Sequence, residues 1–382
     1  MNILIFTAHP PIPNGGGVSR MAYTISKLLQ ERSHKVYYLS NETDINSIDV
    51  PNQFFFPSQD PNSQDNLRFL EDFIRTEKIG CIINHIPINP YSNILYKANR
   101  GNCKLISILH NAALNHVSNF AYKYQYRLKK RKWLFDILRL KLVKRIVEVL
   151  YISKYRSIYR NIEKSCNQVV IVSPSNRKEV DRMLGYKSPK ITCIPNFIHV
   201  IDNDISQKEN VVVWCGRLET ELKRVDLMLD IWAKVCNRHP DWKLIIMGRG
   251  CIDEMKQYAK NIEARNIEFV GNVNTGPYYR RASILCHTSL SESFGLVLVE
   301  AMNWGCVPIA FDSFPACQDL IPSDCGYRIK AFDKEEYAKS LSDLMDNHVE
   351  RETRALRCKK ISSIYNEDNS IKEWIKLIEQ KY

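Results

Sequence analysis

Nowhere in the 382 residues is there a run of about 18 uncharged apolar residues, so no α-helical membrane span is expected. The opening MNILIFTAHPPIPNGG lacks the basic start, long apolar core and small-residue cleavage site of a signal peptide, and a cytoplasmic protein is expected. No C-x-x-C pair occurs among the twelve cysteines, and none has zinc-ligand spacing. They read as reduced core residues, and no bound metal is expected. Internal repeats and low-complexity tracts are also missing. Acids are scarce in one place only. Between Ala121 and Ser165, three acids (Asp136, Glu148, Glu163) stand against fourteen Lys or Arg, an excess of 11 within a net charge of +12. The rest of the chain is nearly neutral, so the positive charge belongs to one local feature.

What is present is a folded protein of two domains. Apolar content of 45% and charged content of 25% are ordinary for a globular chain, and the length exceeds one ordinary core. The first half opens on the buried-strand run Asn2–Thr7, then a Pro- and Gly-rich loop, then a helical pattern from Val18 to Gln30 with Met21, Ile25, Leu28 and Leu29 on one face. Further strand runs are KVYYL (35–39), CIINH (81–85), KLISILH (104–110) and QVVIVS (168–173). The pattern restarts with VVVWCG (211–216), KLIIMG (243–248), IEFVG (267–271), ASILCH (282–287) and VPIAF (307–311). Strands alternating with helix-length spacers predict two doubly wound α/β domains, divided near Pro195-Asn196. The expected limits are 1–197 and 198–362, with the closing stretch 363–382 a helix returning to the first domain. Two such domains imply a cleft, with chemistry in the loops at the carboxyl ends of the strands.

One such loop is SESFGLVLVE (291–300), which carries Glu292 and Glu300 at the ends of an apolar stretch. A helix starting near Phe294 is expected, packed on the sheet by Val297, Leu298 and Ala301. The amides of Phe294, Gly295 and Leu296 at its start would form an anion site reinforced by the helix dipole. A glutamate accepts two hydroxyl hydrogen bonds at once, which suits the vicinal diol of a sugar or ribose. The spacing alone fits equally an acidic helix start and one exposed Glu. Arg217, in Gly216-Arg217-Leu218, and Lys223 lie on the first loop of the second domain, where they could converge on a diphosphate or simply be solvated.

Taken together, GRLETELKRVDLML, DWKLIIMGRG and SLSESFGLVLVEAMNWGCVPIA resemble the retaining, GT-B-fold glycosyltransferases of family 4. The family's E-x7-E element falls on Glu292 and Glu300. The resemblance covers the second domain closely, and reaches the first through NGGGVSRMAYTISKLLQERSHKVYYLS and, at the crossover, VSPSNRKEV and IPNF. It implies a GT-B fold of two Rossmann-like domains facing a central cleft, and the transfer of a sugar from a nucleotide sugar, a UDP-sugar ahead of a GDP-sugar, with no cofactor. By the same resemblance Glu300 holds the ribose and Glu292 the hydroxyls of the transferred sugar. Arg217 and Lys223 bind the diphosphate, aided by the amides of Phe294, Gly295, Leu296 and Val297. Asn272 and Val273 frame the base. Gly16 and Gly17 let the first-domain loop approach the phosphates through positive φ, and His110 faces the reacting sugar. Ser293 departs from the family's usual Gly before the Phe, which is tolerable if that position needs no positive φ. The implied acceptor is a glycan or glycolipid of surface-polysaccharide, capsule or lipopolysaccharide synthesis.

The basic segment 122–160 adds a partner. From Lys141 to Leu150 its pattern is amphipathic, with Leu142, Val143, Ile146, Val147 and Leu150 on one face and Lys141, Lys144, Arg145 and Glu148 opposite. Basic residues among Tyr, Trp and Leu suit an anionic membrane surface or an anionic acceptor, and predict a peripheral protein on the inner face of the membrane. A solvated basic helix packed on its domain fits the same letters. No nucleic-acid motif accompanies the charge. Three rival functions stay open. A Rossmann oxidoreductase or epimerase is disfavoured because Gly15-Gly16-Gly17 is followed by Arg20 where G-x-G-x-x-G needs glycine. A metal-dependent transferase would use an Asp-x-Asp in a strand-end loop, and is disfavoured because Asp202-Asn203-Asp204 has the letters but falls in the expected interdomain linker. A non-catalytic sugar-nucleotide-binding protein would not need the whole diphosphate clamp.

Overall fold

The computed structural model describes residues 1–13, 15–42, 50–125, 128, 131–201 and 208–380. The Asp202-Asn203-Asp204 triplet lies outside the described residues, as do Arg127, Lys129 and Lys130 of the basic segment. The chain forms two compact units. One comprises Met1–Ala113, Tyr151–Asn196 and Asp368–Tyr382, and the other Leu114–Leu150 and Phe197–Glu367. The crossover thus falls at Asn196/Phe197, and the closing helix Glu367–Glu379 belongs almost wholly with the first unit. The basic segment, read from sequence as part of the N-terminal domain, is shared: residues 114–150 make their contacts with the second unit.

The first unit holds a sheet of β1 (Asn2–Thr7), β2 (Lys35–Ser40), β3 (Gln53–Phe55), β4 (Ile79–Asn84), β5 (Lys104–Leu109), β6 (Gln168–Ile171) and β7 (Ile191–Cys193). Their order is β3-β2-β1-β4-β5-β6-β7, and every pairing is parallel. Ile3, Leu4, Ile5, Phe6, Ile82 and Ile83 are wholly buried, as a parallel sheet covered on both faces requires. The helix Gly17–Glu31 buries Met21, Ile25, Leu28 and Leu29, the stripe its periodicity predicts.

The second unit repeats the plan with β8 (Glu209–Cys215), β9 (Lys243–Met247), β10 (Ile267–Gly271), β11 (Ala282–His287), β12 (Val307–Asp312) and β13 (Tyr327–Lys330), in the order β10-β9-β8-β11-β12-β13. All are parallel. Strand order reverses between β8 and β11, so their outgoing loops diverge and leave a crevice at their carboxyl ends. The β8 loop carries Arg217 and Lys223, and the β11 loop carries Glu292. Close approach of β9 to β8 depends on Gly248. Its φ is +139°, and a Cβ there would lie 1.7 Å from the Gly216 carbonyl oxygen.

Candidate active site

Within the second unit the β8 and β11 loops are tied together by backbone. Leu290 N donates to Leu222 O at 2.6 Å. The buried Thr288 hydroxyl accepts from Trp214 Nε1 at 2.9 Å and shares its own proton between Lys223 O (3.2 Å) and Arg224 O (2.9 Å). These bonds fix where Lys223 and Glu292 leave the chain. The Lys223 ammonium donates to Glu292 Oε1, the Ser289 hydroxyl donates to the same oxygen at 2.9 Å, and His287 Nε2 stands 3.5 Å from it. Burial pushes the Glu292 carboxyl up, but Lys223, His287 and Ser289 together outweigh it and hold the group below its ordinary value. Glu292 is therefore an anion at neutral pH. Burial pushes His287 down to about 4, so it is neutral there, and its Nε2 lacks a hydrogen-bond partner.

The helix bearing Glu300 is Leu296–Asn303, so it starts two residues later than expected. Gly295, in the left-handed region at φ 93°, reverses the chain at its N-cap, and Phe294 is buried edge-on against Tyr365 at 5.4 Å instead of opening the helix. The first-turn amides are thus those of Leu296 and Val297, while Phe294 serves the core. Leu298, Val299, Ala301 and Met302 form the buried face. Val297 is only half-buried, and with Leu296 and Glu300 it lines the opposite side, the one available to a ligand. Ser293 needs no positive φ, since that demand falls on Gly295. Arg217 is not fixed on Lys223: its side chain is 60% exposed and pairs with Glu219 at 3.3 Å. Exposed Asn272 and half-buried Val273 follow β10, whose Gly271 carbonyl accepts from Gly248 N at 2.7 Å.

Residues 15–200 match Glycosyltransferase Family 4 and residues 198–360 match Glycosyl transferases group 1, so the two families between them account for nearly the whole chain. The chain belongs to the family 4 glycosyltransferases of GT-B fold. A relative similar over its full length is the amylovoran biosynthesis glycosyltransferase AmsD of Erwinia amylovora, 25% identical over 376 residues, which cover 95% of this chain and 96% of that one. The transferase is also 25% identical over 217 residues to an α-1,4-N-acetyl-D-galactosaminyltransferase of Campylobacter jejuni named for an undecaprenol-diphosphate-linked glycan, covering 56% of this chain and 60% of that protein. Among solved structures, an S. aureus TarM variant in complex with UDP shares the fold with a TM-score of 0.75 at 14% identity, covering 99% of this chain and 100% of that one.

The transferase's first unit places His110 directly after β5 and His85 directly after β4, on neighbouring strands. Their rings lie 18° from parallel, with His85 Nδ1 and His110 Nε2 3.0 Å apart. Burial pushes His110 down to about 4, and burial with His110 beside it pushes His85 down too. Both rings are neutral at pH 7, one donating and the other accepting. Gly16 corrects an expectation. It has φ −63° in an extended N-cap, and Gly17 is the first residue of the helix Gly17–Glu31. Gly16 and Gly17 lead straight into the helix, and neither is left-handed. What Gly16 offers is room, because a Cβ there would meet nothing within 4 Å.

Sequence reasoning overlooked His85, His287 and Thr288. A signal existed for two of them. CIINH and ASILCH, like KLISILH, each end a buried strand with histidine, where a parallel sheet places its ligand-facing loops.

Proposed function

We propose that this transferase moves a sugar, with retention of anomeric configuration, from a nucleotide sugar to a lipid-linked glycan in surface-polysaccharide synthesis, using a UDP-sugar ahead of a GDP-sugar and no metal ion. The observation that carries the reading is the Lys223–Glu292 pair at the switch point, on the N-terminal side of the Glu300 helix. A nucleotide sugar satisfies both partners at once: Lys223 turns to the diphosphate and Glu292 to the sugar hydroxyls. Glu300, on the same ligand-facing side as Leu296 and Val297, takes the ribose. As the glycosidic bond breaks, negative charge grows on the diphosphate. Lys223, the exposed Arg217 and the first-turn amides of Leu296 and Val297 favour that charge more than the ground state. The leaving phosphate takes the acceptor proton on the face it departs from.

Two observations support the lipid-linked acceptor and a membrane-surface location. The AmsD and Campylobacter relatives are named for a surface polysaccharide and a polyprenol-linked glycan. In the helices Lys132–Leu138 and Lys141–Ser165, Trp133, Leu142, Val149 and Leu150 are 58–70% exposed among Lys and Arg, while Val143 and Val147 are half-buried, so much of the apolar surface is left open to a partner. No helix among the described residues is long and apolar enough to cross a membrane.

The test is turnover of UDP- and GDP-sugars with a polyprenol-diphosphate glycan presented in anionic or neutral vesicles. Turnover should favour anionic vesicles, and added salt should reduce that preference. The anomeric proton coupling of the product should match the donor's. An inverted product would overturn retention, and equal rates on both vesicle types would overturn the membrane reading.

A further inference from the structure

Beside Lys223, Arg224 and Asp226 form a buried ion pair that takes no part in the sugar transfer itself. Arg224 follows Lys223 at φ 54°, a left-handed conformation uncommon outside glycine, yet its side chain is 2% exposed. Such strained, over-determined residues persist where surrounding contacts hold them. Its guanidinium forks onto Asp226 (3.0 and 3.0 Å), and its remaining donors reach Tyr122 O at 3.1 Å and Gln125 Oε1 at 3.2 Å. Tyr122 and Gln125 belong to the arm 114–125 of the second unit. A second anchor lies on the same arm. Asn119 Nδ2 donates one hydrogen to Leu290 O (2.9 Å) and the other to Ser313 O (2.7 Å), and the Ser313 hydroxyl donates to Ser289 O at 2.6 Å. The Tyr122 ring rests on Phe332 with centroids 4.0 Å apart. The arm is therefore bolted to the β8 loop one residue after Lys223 and to the β11 loop two residues before Glu292.

We propose that the arm 114–125 is a strut that keeps the Lys223 and Glu292 loops in catalytic register, with Asn119 and Arg224 as its positioning residues. The proposal rests on the donor-site reading of Lys223 and Glu292. Neither positioning residue need touch substrate. Each fixes backbone from which a substrate-binding side chain projects, and a displacement of about 1 Å at such a distance can cost about 100-fold in rate.

Arg224→Gly would strand the buried Asp226 carboxylate and confuse folding with function. The informative variants are Asn119→Ala, Gln125→Ala and Arg224→Lys, the last keeping a cation for Asp226. Asn119→Ala should lower kcat about 10- to 100-fold and weaken UDP binding by calorimetry by a smaller factor, because the diphosphate contact shifts with the Lys223 loop while the ribose contact to Glu300 is untouched. Gln125→Ala and Arg224→Lys should shift the same way by less. The deciding measurement is a cycle with Lys223→Met. If the strut acts through Lys223 and Glu292, Asn119→Ala adds little to the loss already caused by Lys223→Met, whereas a merely structural role would add its full loss. Wild-type kcat in Asn119→Ala, or full additivity in the cycle, overturns the strut. Full activity in Lys223→Met itself would overturn the donor-site reading instead.

Discussion

Replacing Lys223 with methionine is expected to lower kcat about 100- to 1,000-fold, the loss typical of removing a preorganised group that meets charge developing in the transition state. The variant should also lose stability, because the Glu292 carboxylate is left with Ser289 and a neutral His287. Breaking a fully buried pair costs roughly 3–5 kcal/mol. With Lys223 and Glu292 keeping 23% and 15% of their side-chain surface, about 2 kcal/mol is expected after allowing for solvent screening. The two effects separate in Lys223→Met/Glu292→Gln. That pair removes the stranded charge, so urea unfolding should recover much of the lost stability while activity stays low. Recovery of activity with stability would mean the pair is structural only.

Acidification should destabilise both units well above the range of ordinary carboxylates. His110 and His287, each with a folded-state value of about 4, bind fewer protons folded than unfolded, where a histidine titrates near 6.5. Stability is then complete above about pH 6.5 and falls as pH drops toward 4, by about 2 kcal/mol per histidine at pH 5. His85, lowered in the same direction, adds to the first unit, and Glu292, lowered among carboxyls, adds to the loss below its unfolded value. Urea unfolding at pH 7.5, 6, 5 and 4.5 checks this. His287→Asn should flatten the profile of the second unit and leave that of the first. A pH-independent midpoint from 7.5 to 5 would contradict the buried, neutral state of these rings.

The architecture was legible because parallel strands buried on both faces spell themselves as continuous apolar runs. NILIFT, VVVWCG and ASILCH needed no context. The strands that escaped notice, β3, β7 and β13, are three or four residues each and all lie at sheet edges, so QFF, ITC and YRIK mix polar with apolar letters and carry no such run. The two acids of E-x7-E and Lys223 were legible as spacing, and their loops do leave neighbouring strands. Local conformation was not. Whether Gly16 or Gly295 takes the left-handed turn is set by how each loop meets its helix, and both glycines look alike as letters. Nor could any spacing show that Arg224 pairs with a segment a hundred residues upstream, since that contact exists only after the arm 114–125 has folded onto the second unit.

The central claim is that one nucleotide diphosphate spans Lys223 and Glu300. Calorimetric titration with UDP, GDP and ADP, with and without EDTA, on the wild type and Glu300→Ala, tests it most directly. Charge-assisted hydrogen bonds from ribose to a carboxylate contribute about 1.5–3 kcal/mol each. Loss of those bonds should therefore weaken UDP about 10- to 100-fold in Glu300→Ala, and the donor reading predicts that UDP binds in preference to GDP and ADP, indifferent to EDTA. UDP binding that ignores the Glu300 substitution, or that vanishes with EDTA, would contradict the account.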